Sequence, residues 1–506
     1  MGVIAKQSIK GTIVTYIGVA VGFVTTFFVI TRFLSAEEIG LARVLVDAAT
    51  LFIGLAQLGT NASILRFYPY FVSGQQSAVN GQRSEEHGFF FWTMLVPLIG
   101  FMVVAAIFLA CHTSLSNWFG EKSPLFVSYY YFVLPLAFCM LYQTVFETNA
   151  NVRMHIVVPR AVRELLTRIG LLAVYLLYAF RILTIDGFVL ALIGVYALAA
   201  VCNAAYLFSL GGISLRPDFA FLKAHKDVVR KYLLYTAFLI VSAVASVLAP
   251  TLSSFFITAQ MGLSYTGIFA IATYISVMVS IPYRSLTAIA SPQLSLAIKE
   301  NRHDEASNLL SQVSRNLLLI GGMILAAIWV NIDLIFIILP NGSTYAVAKY
   351  AVLLLGLGQL IVATFQFALT ALSYSRHYPF SLLYSFILTV LALVLNNLFI
   401  PRWGMNGAAC ASLIAQAVYF TLVTLTVRYA VGCRILTRKH LLIAALLAGI
   451  FALNGLFLYL LPDMNIWLSS ILRSLLVVAA VPVAYRWQLS PELNEQTNAL
   501  LRRVRL

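Results

Sequence analysis

The chain has 506 residues, 61% of them hydrophobic and only 10% charged, with a formal net charge of +15. No water-soluble domain of that length holds this balance, so the lipid bilayer is the solvent to reason with. The positive charge is read first as a map of sidedness and not as a nucleic-acid surface.

A membrane span needs about 20 mostly apolar residues. Fourteen such stretches follow one another: 11–31, 39–62, 88–110, 124–147, 165–181, 187–210, 232–258, 264–290, 313–338, 346–372, 379–400, 404–427, 441–461 and 466–486. The first starts after Lys6 and Lys10 but is span-length and lacks a small-residue cleavage site, so it is read as a retained helix. At the start of the second, Ser35 is expected to cap the helix, with Glu37 and Glu38 at its positive end. The stretch 165–181 is short and follows a polar approach. Between the eleventh and twelfth, Pro401 ends one helix, Gly404 makes a tight turn, and small residues open a close-packed successor.

With the N-terminus inside, 25 of the 33 basic residues fall on cytoplasmic segments or, like Arg168, Arg315 and Arg486, at the cytoplasmic ends of spans. Five (Arg32, Lys122, Arg181, Lys349 and Arg402) fall on external connections, and Arg43, Arg284 and Arg473 lie within spans. The positive-inside rule therefore places both termini in the cytoplasm. The expected division is an N-terminal six-helix bundle over 1–210, a cytoplasmic linker over 211–231 and a second six-helix bundle over 232–427. An additional helix pair over 441–486 and a cytoplasmic basic tail over 487–506 complete it.

The five cysteines form no spaced pairs and the seven histidines no cluster, so neither a disulfide framework nor a metal site is expected. No phosphate-cradling glycine loop appears, and no cofactor is implied. Energy for any transport would have to come from an ion gradient, Na+ or H+, from the membrane potential, or from removal of cargo. External connections are too short to hold a catalytic domain, which opposes a glycan polymerase or ligase.

An internal repeat is suggested by Leu34-Ser35 followed by Glu38-Ile39-Gly40, and by Leu263-Ser264 followed by Gly267-Ile268-Phe269. Each opens a span after a short external turn. Two similar bundles facing each other would create a cavity able to open to either side.

The run from Gly11-Thr12 through Phe33-Leu34-Ser35-Ala36-Glu37-Glu38-Ile39-Gly40, continued by Leu58-Gly59-Thr60 and Leu65-Arg66-Phe67, resembles the start of bacterial polysaccharide flippases. So does the stretch Asn396-Asn397-Leu398-Phe399-Ile400-Pro401-Arg402-Trp403-Gly404-Met405-Asn406-Gly407-Ala408-Ala409. Over nearly its whole length the chain is similar to the O-antigen and capsule flippases of the multidrug/oligosaccharidyl-lipid/polysaccharide transporter superfamily. The resemblance implies an all-α polytopic membrane protein of about 14 transmembrane helices, two six-helix bundles around a central cavity plus a C-terminal helix pair. It implies a transporter and not an enzyme: alternating access would move an undecaprenyl-pyrophosphate-linked oligosaccharide from the cytoplasmic to the outer leaflet of a bacterial inner membrane. The implied partners are that lipid-linked oligosaccharide, membrane lipid and polysaccharide assembly proteins. An ion-coupled multidrug or metabolite antiporter of the same superfamily is the second reading. It favours acidic cavity residues, against the arginine-rich balance here.

A hydrated pyrophosphate and glycan need a cationic, polar path, so charges inside spans matter most. An arginine at depth costs at least about 2.5–3.5 kcal/mol and must face protein or water. Arg43 and Asp47 stand one helical turn apart and can pair. The pair is either a pyrophosphate site oriented by Asp47 or a structural ion pair, and Asp47 is also the candidate for ion coupling. Related lipid flippases carry cavity arginines on their second and eighth helices, where Arg43 and Arg284 stand here. Arg284, beside Pro282, is either a head-group contact or a snorkelling side chain near the end of its span. Arg66 is either a contact at the inner mouth or a topology signal. Pro250 is a hinge or a static kink, and Arg473 is expected to anchor packing or lipid.

Overall fold

The computed structural model describes residues 14–15, 17–71, 87–211, 213, 215–219, 251–492 and 494. The described residues are helical or in short turns, with no strand among them. Among the described residues ten helices are long and apolar enough to cross a membrane, one of them 51 residues long, and Ile17–Phe33 is a shorter apolar helix. The chain is thus a multi-pass membrane protein. It divides into two compact units, Met1–Gly267 and Ile268–Leu506. Pro250 and most of the 211–231 and 487–506 segments lie outside the described residues.

In the first unit α1 (Ile17–Phe33) contains a π-helical stretch, Thr25–Ile30. It is followed by α2 (Ala36–Ala56), whose start carries the expected cap: Ser35 Oγ accepts from the Glu38 amide at 3.2 Å, and Glu38 Oε2 accepts from the Ser35 amide at 2.7 Å. Tyr178 also donates to Glu38, so this carboxylate has a structural task. The stretch expected as one span over 39–62 is instead two helices. After α2 the backbone turns left-handed at Leu58 (φ 47°) and Gly59 (φ 68°), and α3 (Thr60–Phe71) begins afresh. Gln57 bridges the break by accepting from Asn61 at 3.1 Å.

Next come α4 (Phe89–Ala110), α5 (His112–Gly120), α6 (Pro124–Ser128) and α7 (Val133–Val152). Helix α8 (Val157–Ala161) passes through a π-helical stretch, Val162–Leu166, into α9 (Thr167–Ala179), followed by α10 (Ile185–Ser209). Helix α7 is the centre of this unit, packed by α2, α3, α4 and α10. The outward face of α4 shows why a bilayer is required: Ile99, Met102, Val103 and Ile107 are each more than half exposed.

The residues 251–260 form α11, and α12 (Leu263–Val277) carries the chain out of the first unit. The two repeat-like segments meet here. A Cβ on Gly40 would lie 2.0 Å from the Leu263 carbonyl oxygen, and one on Gly267 would lie 1.9 Å from the Ala36 carbonyl oxygen. Each glycine therefore packs on the carbonyl four residues before the other, a reciprocal contact that no residue with a side chain allows. Between helices in lipid, where no hydrophobic force draws them together, such close approach is a main source of attraction.

In the second unit a 3₁₀ turn, Met278–Ser280, separates α12 from α13 (Ile281–Lys299), with Pro282 in the first turn of the new helix, where its missing amide costs nothing. Helix α14 (His303–Val330) is followed by α15 (Ile332–Ile338), α16 (Gly342–Tyr345) and α17 (Lys349–Tyr374). The 51-residue helix α18 (Pro379–Tyr429) is broken at Gly404, which takes φ 57° and ψ −135°. A Cβ on Gly407 would lie 2.2 Å from the Phe399 carbonyl oxygen, a proximity that an unbroken helix forbids, so the chain reverses at Gly404 as expected. Phe367, Leu372, Tyr419, Phe420, Val423 and Val427 build the core of this unit with α13 and α14. The final helices, α19 (Arg438–Leu460) and α20 (Ile466–Arg486), pack on each other and on α14.

Candidate functional site

Helix α2 brings two of the expected residues together. Positions four apart lie on one face, and Arg43 Nε donates to Asp47 Oδ2 at 2.9 Å. The Asp47 side chain is 8% exposed and that of Arg43 24%, so the carboxylate is held inside while the guanidinium reaches outward. Ser254 on α11 is a second polar side chain that favours the Asp47 carboxylate. A buried carboxylate needs such partners, because removing it from water costs several kcal/mol, on the order of the attraction gained. The result is a guanidinium whose orientation is fixed from behind by an acid.

The surroundings are polar in a way that the sequence reading missed. Thr251, Ser253, Ser254 and Thr258, all on α11, are buried. Thr258 shares a hydrogen bond with Thr266 at 2.9 Å, and Ser123 donates to the Thr258 carbonyl at 2.7 Å. The available signal was four hydroxyl residues within eight positions of an otherwise apolar stretch. Hydroxyls so placed can serve one another, a carboxylate or a hydrated ligand without a charge being buried.

Arg66 stands on α3, beyond the break at Leu58-Gly59, with an exposed side chain whose guanidinium lies 5.7 Å from the centre of the Phe67 ring. Arg284 belongs to the second unit, exposed near the start of α13 and three residues before Thr287, where the apolar span ends. Its surroundings suit a side chain reaching toward polar surface. Arg473 is 2% exposed within α20, donates to the Ser469 carbonyl at 3.3 Å and to Ser470 at 3.5 Å, and so takes the packing part expected of it. Asp333 pairs with Lys349 at 2.6 Å, both side chains about one-third exposed. Glu147 pairs with Arg163 at 2.8 Å and Glu164 with Arg168 at 2.9 Å. The described residues hold no group of three or more His, Cys, Asp or Glu able to bind a metal ion.

Comparison with known proteins places this geometry in context. Residues 4–295 match the family of polysaccharide biosynthesis proteins. No curated protein matches the chain. Among solved structures, the lipid II flippase MurJ in an inward closed conformation superposes with a TM-score of 0.70 at 12% identity, over 94% of this chain and 99% of that one. An inward-facing multidrug resistance MATE family transporter of the MOP superfamily gives 0.61 at 14% identity, over 81% and 94%. A MOP superfamily transporter from Pyrococcus furiosus gives 0.55 at 13% identity, over 85% and 96%. The fold is that of MOP-type transporters, and these neighbours are flippases and transporters, not enzymes.

Proposed function

The chain belongs to the polysaccharide biosynthesis protein family, and on that footing we propose that it is a flippase for a lipid-linked oligosaccharide. The cargo is an undecaprenyl-pyrophosphate-linked glycan carried by alternating access from the cytoplasmic to the outer leaflet of a bacterial inner membrane, for surface polysaccharide such as O-antigen. Both termini lie in the cytoplasm in this reading. The observation that carries it is the Arg43–Asp47 pair beside the hydroxyl-bearing face of α11.

The chemistry follows from what crosses. The prenyl tail stays in hydrocarbon, while the pyrophosphate and sugars need donors in place of water. Arg43 offers a planar guanidinium suited to phosphate oxygens, with Asp47 holding it in orientation. Arg284 and Arg66, both exposed, are proposed as further cationic contacts for the head group. Hydroxyls on α11 would meet the glycan. An ion gradient, Na+ or H+, is proposed to drive the cycle.

A second reading, a multidrug or metabolite antiporter, is favoured by the buried Asp47 and by the superposition on MATE transporters. Arg43 opposes it, since Asp47 is already neutralised by its neighbour.

The test is the sidedness of lipid-linked glycan in cells depleted of this protein and lacking any redundant transporter. Accumulation on the cytoplasmic leaflet with loss of surface polysaccharide is expected, and normal outer-leaflet delivery would reject the flippase. In the same assay Arg43→Gln and Arg284→Ala should lower delivery while inserting normally. Undiminished delivery by both would remove the cationic site and leave the fold untouched.

A further inference from the structure

The first unit contains a second set of buried charges that the head-group reading leaves without a task. Glu147 on α7 is 6% exposed. Its Oε1 accepts from Arg163 Nη1 at 2.8 Å, whereas its Oε2 is buried and has no hydrogen-bond donor among the described residues. Asn203 on α10 is 1% exposed and donates at 3.4 Å to the Gln143 carbonyl, one turn before Glu147 on the same helix. Its Oδ1 is also buried without a donor. Two acceptors along one helical turn therefore lack donors, where nearly all buried polar atoms have one.

The charges around Glu147 are known from every side. Arg160, Arg163 and Glu164 are its electrostatic neighbours, and Arg168 on α9 holds Glu164. Of the other helices packed on α7, α2 carries Glu37 and Glu38 at its start and Arg43 and Asp47 as a closed pair, α3 carries Arg66, α10 carries Asp186, which accepts from Tyr129, and α4 carries no charge. Arg153, at the end of α7, donates to the Asn149 carbonyl at 2.7 Å. A metal cation would need about six oxygen ligands and would meet three arginines against two carboxylates. A proton needs one oxygen, and turns that acceptor into a donor.

We propose that Glu147 is a proton-binding site. A proton from the aqueous phase adds to Oε2, the carboxylate becomes a neutral carboxyl group, and nothing else is gained or lost. Arg163, whose side chain is 45% exposed, then loses its buried partner and keeps only Glu164, at 3.5 Å. Arg163 lies in the π-helical stretch Val162–Leu166, an irregular geometry frequent at functional positions. Protonation thus unties the α8–α9 connection from α7, and deprotonation ties it again. This holds whatever cargo the protein carries, and its test reads the protein alone.

The full chain in lipid nanodiscs would be titrated with acid and followed by infrared difference spectroscopy. The carbonyl stretch of a protonated carboxyl should appear as pH falls, vanish in Glu147→Gln and persist in Glu164→Gln and Asp47→Asn. Amide exchange over residues 157–166, corrected for its intrinsic pH dependence, should quicken in step with that band. Should Glu147→Gln fail to fold, Arg163→Gln keeps both carboxylates and must move the titration to higher pH, since the cation that favours the charged form is gone. Absence of the band in the wild type, its survival in Glu147→Gln, or an unmoved titration in Arg163→Gln would overturn the proposal. So would a shift of the carboxylate stretch on adding Na+ at constant pH, which would mark a metal cation instead.

Discussion

Among the described residues of the first unit the buried acids are Asp47, Glu147 and Glu164, each held by an arginine that keeps contact with the surface. In the second unit the buried ionisable side chains among the described residues include Arg473 and His440, while the side chains of Asp333 and Glu492 stay 32% and 28% exposed. The difference concerns what happens when a partner is lost. An exposed acid deprived of its cation turns to water. A buried one is left with an uncompensated charge, which is far more costly than the pair was worth. The first unit therefore cannot surrender these three arginines freely, and an anionic ligand that takes one of them must share the guanidinium with an acid already there.

The comparison is broken most directly by cutting one pair on each side. Arg43→Ala should destabilise the protein by about 3 kcal/mol, because Asp47 is stranded inside. Lys349→Ala should cost under about 1 kcal/mol, since Asp333 remains solvated. Equilibrium unfolding in mixed micelles measures both, and equal costs would erase the distinction between the units. A smaller contrast lies in the backbone. Gly40→Ala drives a methyl group into the Leu263 carbonyl and should cost about 1–3 kcal/mol. Gly455→Ala, with nothing within 4 Å of the new Cβ, should be neutral or stabilise by up to about 1 kcal/mol.

The smallest effect is a pH dependence in the second unit. Burial pushes the Glu492 carboxyl up, but its backbone hydrogen bond and the Arg315 guanidinium at 2.6 Å outweigh this and hold it below the usual glutamate range. A lowered folded-state value means that its stabilisation is complete above the unfolded value, about 4.3, and is lost as pH falls through the folded one. Unfolding midpoints of wild type and Glu492→Gln should therefore differ at neutral pH and converge in acid.

Much of this was legible in the sequence where the cause is local. Ser35 and Glu38 are three residues apart, Arg43 and Asp47 one turn, and Pro401 and Gly404 close together, so capping, pairing and reversal follow from short-range rules. The interruption at Leu58-Gly59 was hidden because a leucine in a left-handed conformation leaves no mark on an apolar run. The cluster around Glu147 was legible only as basic neighbours beside acids. That one carboxylate oxygen is buried without a donor depends on how the neighbouring helices pack, which no local rule supplies. The hydroxyls of α11 were visible as letters, but their meaning required Asp47 to be brought beside Ser254.

The contact of Gly40 with Gly267 has a consequence for inheritance. Each position is closed to a side chain by the backbone carbonyl four residues before the other, so a mutation at either is judged by a segment some 227 places away. If the two segments descend from one ancestral sequence, this contact would have been self-complementary before duplication, the same glycine facing its own copy across a two-fold axis. Later divergence could remake nearly everything around it, and would still return to the same two letters at these two places.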